Sequence, residues 1–170
     1  MESRSITIGW ATNNKTQAHD RESFKGVLNN EERNEGVLLA RNEKDPEKKK
    51  WLKSRQPAPM WNVDGCKDNI RSSQNAIPGP FYFTDYDRKD NPKLDDTRAY
   101  FMEHIYPHRK ELHLVWAQIS TGEGIHTVCQ RPQNATIAQA QQWQSAITGL
   151  SHAGERTVFD NGNSFCHIFR

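Results

Sequence analysis

Residues 112–130 read LHLVWAQISTGEGIHTVCQ. The first nine are the most strand-like run in the chain, rich in β-branched and aromatic residues. STGEG, residues 120–124, is a glycine turn, since Gly122 and Gly124 let the backbone reverse tightly and approach a ligand closely. IHTVCQ, residues 125–130, is the returning strand, so the whole stretch predicts a β-hairpin. His126 lies two residues into that strand, with Ile125 and Thr127 on the opposite side. Amides exposed at such a turn can cradle phosphate, and a histidine there can donate to a phosphate oxygen. Ser120, Gly122, Gly124 and His126 are therefore candidate phosphate contacts. An ordinary hairpin with a half-buried histidine is the alternative.

On the N-terminal side, FYFTDYD, residues 81–87, predicts a strand running into a turn. Alternation puts Asp85 and Asp87 on the same side. Two carboxylates that close repel unless a cation sits between them, and hard divalent ions such as Mg²⁺ or Mn²⁺ favour such oxygen donors. Turn residues in DYDRKDNP supply the alternative of a plain turn. Between these strands Asp95, Asp96 or Thr97 can cap a helix with Phe101, Met102 and Ile105 facing inward. Beyond the hairpin, Thr136 can cap a helix through Ile147, ended by Gly149. RTVFD, residues 156–160, and SFCHIFR, residues 164–170, predict a last hairpin, and the chain stops inside or just after that apolar run. Asp160 is either a third metal carboxylate or the first residue of a β-turn.

Nearer the start, residues 4–10 predict a strand. Asp20 can cap a short helix with Phe24, Val27 and Leu28 on one face, and GVLLAR, residues 36–41, predicts a buried strand ending at Arg41. Residues 54–80, rich in Pro, Asn, Ser and Gly, predict a long ordered loop. The expected architecture is one α+β domain over residues 1–170, with a small N-terminal α/β lobe and basic loop to residue 75 and a larger half from residue 76.

Hydrophobic residues make up 34% of the 170, so the core must be modest and the loops polar. The net charge is only +2, but RNEKDPEKKKWLKSR, residues 41–55, carries seven basic and three acidic residues and holds the whole positive excess. Arg41, Lys48, Lys49, Lys50, Lys53 and Arg55 are candidate phosphate or nucleic-acid contacts. Trp51 and Trp61 can stack on bases or pack in the core. Cys66, Cys129 and Cys166 are isolated, with no CxxC pair, so no zinc site is expected and the pattern fits a reducing cytoplasm. No run approaches the roughly 18 apolar residues of a membrane span, so no membrane partner is expected. His104, His108 and His113 lack the spacing of a nickase metal site, and Pro107 breaks their helical alignment.

Taken in order, a strand ending in D-x-D, a Gly124-Ile125-His126 strand start and a Phe159-Asp160 strand end resemble the three motifs of the archaeo-eukaryotic primase superfamily. The nearest branch is the VirE N-terminal domain family, which GVLLAR and WLKSRQPAP also resemble, so the likeness covers roughly residues 36–170. The chain departs from that branch at Glu123, where a basic residue is common, and at His167-Ile168, where an Arg-Phe-like pair is common.

The resemblance implies a primase-polymerase-like fold whose catalytic half, residues 76–170, is an RNA-recognition-like palm. It implies a nucleotidyltransferase using two Mg²⁺ or Mn²⁺ ions held by Asp85, Asp87 and Asp160. His126 would meet the triphosphate, and Arg41, Lys53 and Arg55 would neutralise phosphates of nucleotide or template. The implied partners are nucleoside triphosphates, a single-stranded DNA or RNA template and a helicase or ATPase, in replication of a bacterial chromosome or mobile element. A metal-dependent phosphodiesterase or nuclease, and a non-catalytic nucleic-acid-binding relic of the fold, are the alternatives.

Overall fold

The computed structural model describes residues 7–11, 17–55, 58–62, 65–69, 75–120 and 123–152. Strand β1 (Thr7–Ala11) pairs antiparallel with β2 (Gln17–Ser23), and Ser23 caps the short helix α1 (Phe24–Asn29) by accepting from the Gly26 amide at 3.1 Å. Asp20, the expected cap, lies inside β2.

GVLLAR is helical, not a strand: it belongs to α2 (Glu31–Asn42). An apolar run of four residues has no readable period. Glu31 and Glu32 in the first turn suit the positive end of a helix. The helix buries Val37 and Ala40 while Leu38 and Leu39 face out. The basic stretch is helical too, as α3 (Pro46–Arg55). Asp45 Oδ1 accepts from the Lys48 amide at 2.8 Å, and Pro46 occupies the first helical position, where its missing N–H costs nothing. The expected loop 54–80 therefore begins inside α3. It contains β3 (Ala58–Met60), which completes a sheet of order β2-β1-β3, and an antiparallel bridge between Cys66 and Ala76.

The second sheet positions the site. Its strands are β4 (Phe81–Tyr86), β5 (Leu114–Ile119) and β6 (Ile125–Gln130), with β6 in the middle and antiparallel to both neighbours. Asn62 fixes the start of β4, donating to the Phe81 carbonyl at 2.9 Å and accepting from the Phe81 amide at 3.1 Å. Between β4 and β5 lies α4 (Thr97–Tyr100), capped by Asp96 and continued by a π-turn at Phe101–Ile105 and a 3₁₀ turn at Tyr106–His108. Ile105 of this segment is buried as expected, but Met102 is 52% exposed, because the wider π-turn shifts it off the inward face. After β6 comes α5 (Ile137–Thr148), with a complete capping box at Thr136 and Gln139 and a left-handed Gly149 at its end, φ +67°. The order β4, helix, β5, β6, α5 is a split β-α-β unit followed by a second helix. The chain is thus a mixed α and β protein with antiparallel sheets.

Both helices of this half pack on one face of the sheet. Tyr82, Tyr86, Ile125 and Cys129 point there, against Leu94, Ile105, Leu112 and the α5 residues Ile137 and Ala140. The other face carries Phe83 and Val128, covered by Val27 of α1 and by Trp61. Phe24 bridges these parts, its ring 5.1 Å from Trp61 and 5.2 Å from Trp116. The predicted strands at 81–87, 112–120 and 125–130 and the helix after Thr136 match these elements. The hairpin predicted over 156–170 lies outside the described residues.

Candidate functional site

The face of the second sheet turned toward α1 carries two cross-strand rows. In the first, Phe83, Val128 and Trp116 lie opposite one another and belong to the aromatic cluster. Two residues further along each strand, Asp85 faces His126 and His126 faces Gln118. Each polar side chain of this second row is held by a neighbour. His126 Nε2 is 3.2 Å from Asp85 Oδ1, and the two side chains are only 20% and 13% exposed. The Phe83 ring meets the imidazole edge-on at 5.3 Å. Trp116 Nε1 donates to Gln118 Oε1 at 3.3 Å. Indole nitrogen can only donate, so it fixes which end of the Gln118 amide is oxygen. At the Gln118 end, Arg41 of α2 donates to the Ile119 carbonyl at 3.4 Å. The row therefore runs from a carboxylate through imidazole to amide, over a span of about 10 Å at the usual strand spacing, with the Arg41 guanidinium beyond its amide end.

Asp87 lies just past the end of β4 with an extended backbone, φ −64° and ψ 132°, so alternation carries its side chain to the Asp85 side. Lys89 Nζ is 3.4 Å from its carboxylate. The hairpin tip closes over this end of the strand, where Arg88 pairs with Glu123 and Thr97 donates to the Glu123 carbonyl. Glu123 has φ +62°, a left-handed conformation.

Gly124 is required by packing: a Cβ there would sit 2.3 Å from the Tyr86 carbonyl oxygen and 3.2 Å from Asp87 Cα. Its amide donates to Ser120 Oγ at 3.0 Å, and the Glu123 amide donates to the Ser120 carbonyl at 3.1 Å. These two amides and the buried Ser120 satisfy one another inside the turn. They do not form the phosphate cradle expected of Ser120 and Gly124; Gly122 lies outside the described residues.

The basic candidates divide. Arg41 reaches the sheet. Lys48 pairs with Glu43 at 3.0 Å, and Lys49 donates to the Arg41 carbonyl at 3.2 Å. Lys50, Trp51 and Arg55 are exposed on α3, to which Lys53 also belongs. Trp61 is 1% exposed, locked between Phe24 and Phe81, so it packs the core and offers no stacking face.

Asp160 lies outside the described residues. The last described residues, Ser151 and His152, lie along the outer edge of β4. There the Asp85 amide donates to His152 Nδ1 at 3.0 Å, and the Ser151 amide to Asn91 Oδ1 at 2.7 Å. Among the described residues no group of three His, Cys, Asp or Glu side chains is placed to hold a metal ion.

Beneath the row, on the helix side, lies a closed polar layer. Thr84 and Thr127 hydroxyls are 2.6 Å apart, and Gln144 Nε2 donates to Thr127 at 2.8 Å and to Thr84 at 3.2 Å. The Cys129 thiol donates to Gln144 Oε1 at 3.5 Å. Burial pushes the Cys129 thiol up from 9.0 to about 12, and the Tyr86 phenol up from 10.0 to about 12. Both groups are therefore neutral structural members at neutral pH.

Gln118 and its Trp116 support are the site residues that motif reading missed. Counting back from the STGEG turn places residue 118 opposite 126, so hairpin register alone contained the signal. No protein-family profile, no curated protein and no solved structure matches this chain. Among the described residues no helix is long and apolar enough to cross a membrane.

Proposed function

We propose that the chain is a metal-dependent nucleotidyltransferase of the primase–polymerase kind, joining nucleoside triphosphates on a single-stranded DNA or RNA template. What supports this most is the meeting of Asp85 and His126. Two short motifs from separate stretches stand side by side at the end of one sheet, 3.2 Å apart. The split β-α-β order with both helices on one face also suits an RNA-recognition-like palm, with the residues before 76 as the smaller lobe.

Asp85 and Asp87 are hard oxygen donors on one side of a strand end. Mg²⁺ commonly takes one or two carboxylates from a protein and completes its shell with water and substrate phosphates, so this pair suits Mg²⁺ or Mn²⁺, with Asp160 assigned as a further carboxylate. When bound, the ion supplies charge neutralisation and acidifies the attacking hydroxyl. The chain's own groups do the rest. His126 orients the Asp85 carboxylate and donates to a triphosphate oxygen. Gln118 continues the polar row along the same line, and Arg41 neutralises phosphate at the far end.

The test is Mn²⁺-dependent incorporation of labelled nucleotide on a primed or unprimed single strand, with Asp85→Asn abolishing it. Release of fragments without incorporation would transfer the site to a phosphodiesterase. One observation favours a second assignment, a non-catalytic nucleic-acid-binding module: the Glu123 and Gly124 amides bond inward to Ser120, and Glu123 puts an acid at the tip. That module would gain no thermal stability from Mn²⁺, whereas the enzyme would.

A further inference from the structure

Folding as α3 sorts the cations of the basic stretch by role. The Lys48 ammonium and the Asp45 and Lys44 amides all converge on Glu43, and these bonds, the Asp45 amide foremost, hold the Glu43 carboxyl below its ordinary value. Lys49 caps the end of α2 through the Arg41 carbonyl. These two lysines tie α3 to its neighbour. Trp51 and Arg55, one helical turn apart, do something else. Trp51 is 53% exposed, and the Arg55 guanidinium lies 4.3 Å above its ring. The stack fixes the plane of an indole that would otherwise swing freely. It leaves a flat apolar surface in water beside the positive charges of Lys50 and Arg55.

We infer that α3 is a docking surface for a single-stranded nucleic acid, with an unpaired base stacked on Trp51 and the flanking phosphates met by Lys50 and Arg55. The occupant follows from the chemistry of the helix. The residues at helical spacing from Trp51 are Glu47, Lys48, Ser54 and Arg55. With no apolar stripe among them, α3 lacks the face that seats a helix on a membrane. A duplex hides its base faces, so Trp51 would add nothing to holding one. A single strand offers both partners at once, a π-face and a line of phosphates. The surface needs neither the Asp85 site nor any bound ion, so it stands or falls apart from nucleotidyl transfer.

Fluorescence anisotropy on the full chain without divalent ions tests it. The probes are labelled oligothymidylate, an abasic strand of the same length, and a duplex. Trp51→Ala should weaken oligothymidylate binding roughly five- to a hundredfold, the range for one stacked base, and leave the abasic strand unaffected. Trp51→Phe should retain most of the affinity, and Trp143→Ala, on α5 and also partly exposed, should change nothing. Arg55→Lys keeps the charge but loses the planar stack, and should fall between wild type and Trp51→Ala. Unchanged binding by Trp51→Ala overturns the inference. So do an equal loss on the abasic strand, a duplex held as well as the single strand, tighter capture by anionic lipid vesicles, and no binding by the wild-type chain.

Discussion

Replacing Gly124 by alanine distinguishes a ligand-binding glycine from one demanded by the fold. The added methyl would lie 2.3 Å from the Tyr86 carbonyl oxygen, where carbon–oxygen contacts settle at roughly 3.3 Å or more. Hairpin and β4 must therefore part by about 1 Å, and the obstructing atom is backbone, which no rotamer change can remove. Overpacking of this kind costs about 1–3 kcal/mol, and the upper end applies because a strand has to move. For a chain of this size about 3 kcal/mol lowers Tm by about 6–12 °C. Calorimetry or thermal circular dichroism reads that shift directly. The same displacement reaches the Asp85–His126 pair, so nucleotide binding should fall together with stability. A Gly124→Ala protein that melts with the wild type would refute the close approach, and with it the claim that packing is what the glycine serves.

Gln118→Glu keeps the acceptor for Trp116 but replaces amide hydrogens with a negative charge. Isothermal titration with ATP and with inorganic tripolyphosphate should show at least a tenfold loss of affinity, about 1.4 kcal/mol or more. Wild-type affinity would remove Gln118 from the site. Alkaline melts test the buried layer. The Cys129 thiol is raised from 9.0 to about 12 in the folded chain, so the folded state binds its proton more tightly than the unfolded state does. That stabilisation is complete below pH 9 and is lost as pH climbs from about 9 toward 12. Tyr86, raised from 10.0 to about 12, adds a loss that begins near pH 10. Cys129→Ala should flatten the first part of this decline, and identical slopes for variant and wild type would contradict it.

Local chemistry was readable where one element carried its own signals. The three strands of the second sheet and the Thr136 cap showed in alternation, glycine turn and capping box. GVLLAR misled because its apolar run is too short to reveal a period, although the acids before it and the Asp45-Pro46 start of α3 are helix signals. Trp61 was ambiguous for a different reason. Whether a tryptophan stacks on a ligand or on Phe24 depends on contacts distant in sequence. The same holds for the site. The D-x-D and the G-I-H were each visible, but their opposition rests on the β4–β6 register, which no local pattern encodes. Gln118 was within reach of hairpin counting, yet a lone polar residue in an apolar strand invites no search.

The polar layer under the sheet has a bearing on that register. A slip of one residue between β4 and β6 is already forbidden, since it would turn the Asp85 carboxylate into the apolar core on the helix side. A slip of two is not, because every side chain keeps its face and greasy surfaces cannot tell the difference. Thr84, Thr127 and Gln144 can. Shifted by two, Thr84 would stand beside Cys129 or Ile125, the Thr84–Thr127 hydroxyl pair would part, and the Gln144 amide would lose one of its two hydroxyl acceptors, leaving a polar group short of a partner in a dry interior at a cost of about 1–3 kcal/mol. The three act like the tumblers of a lock. They accept one alignment of the strands, and it is the alignment that brings Asp85 to His126.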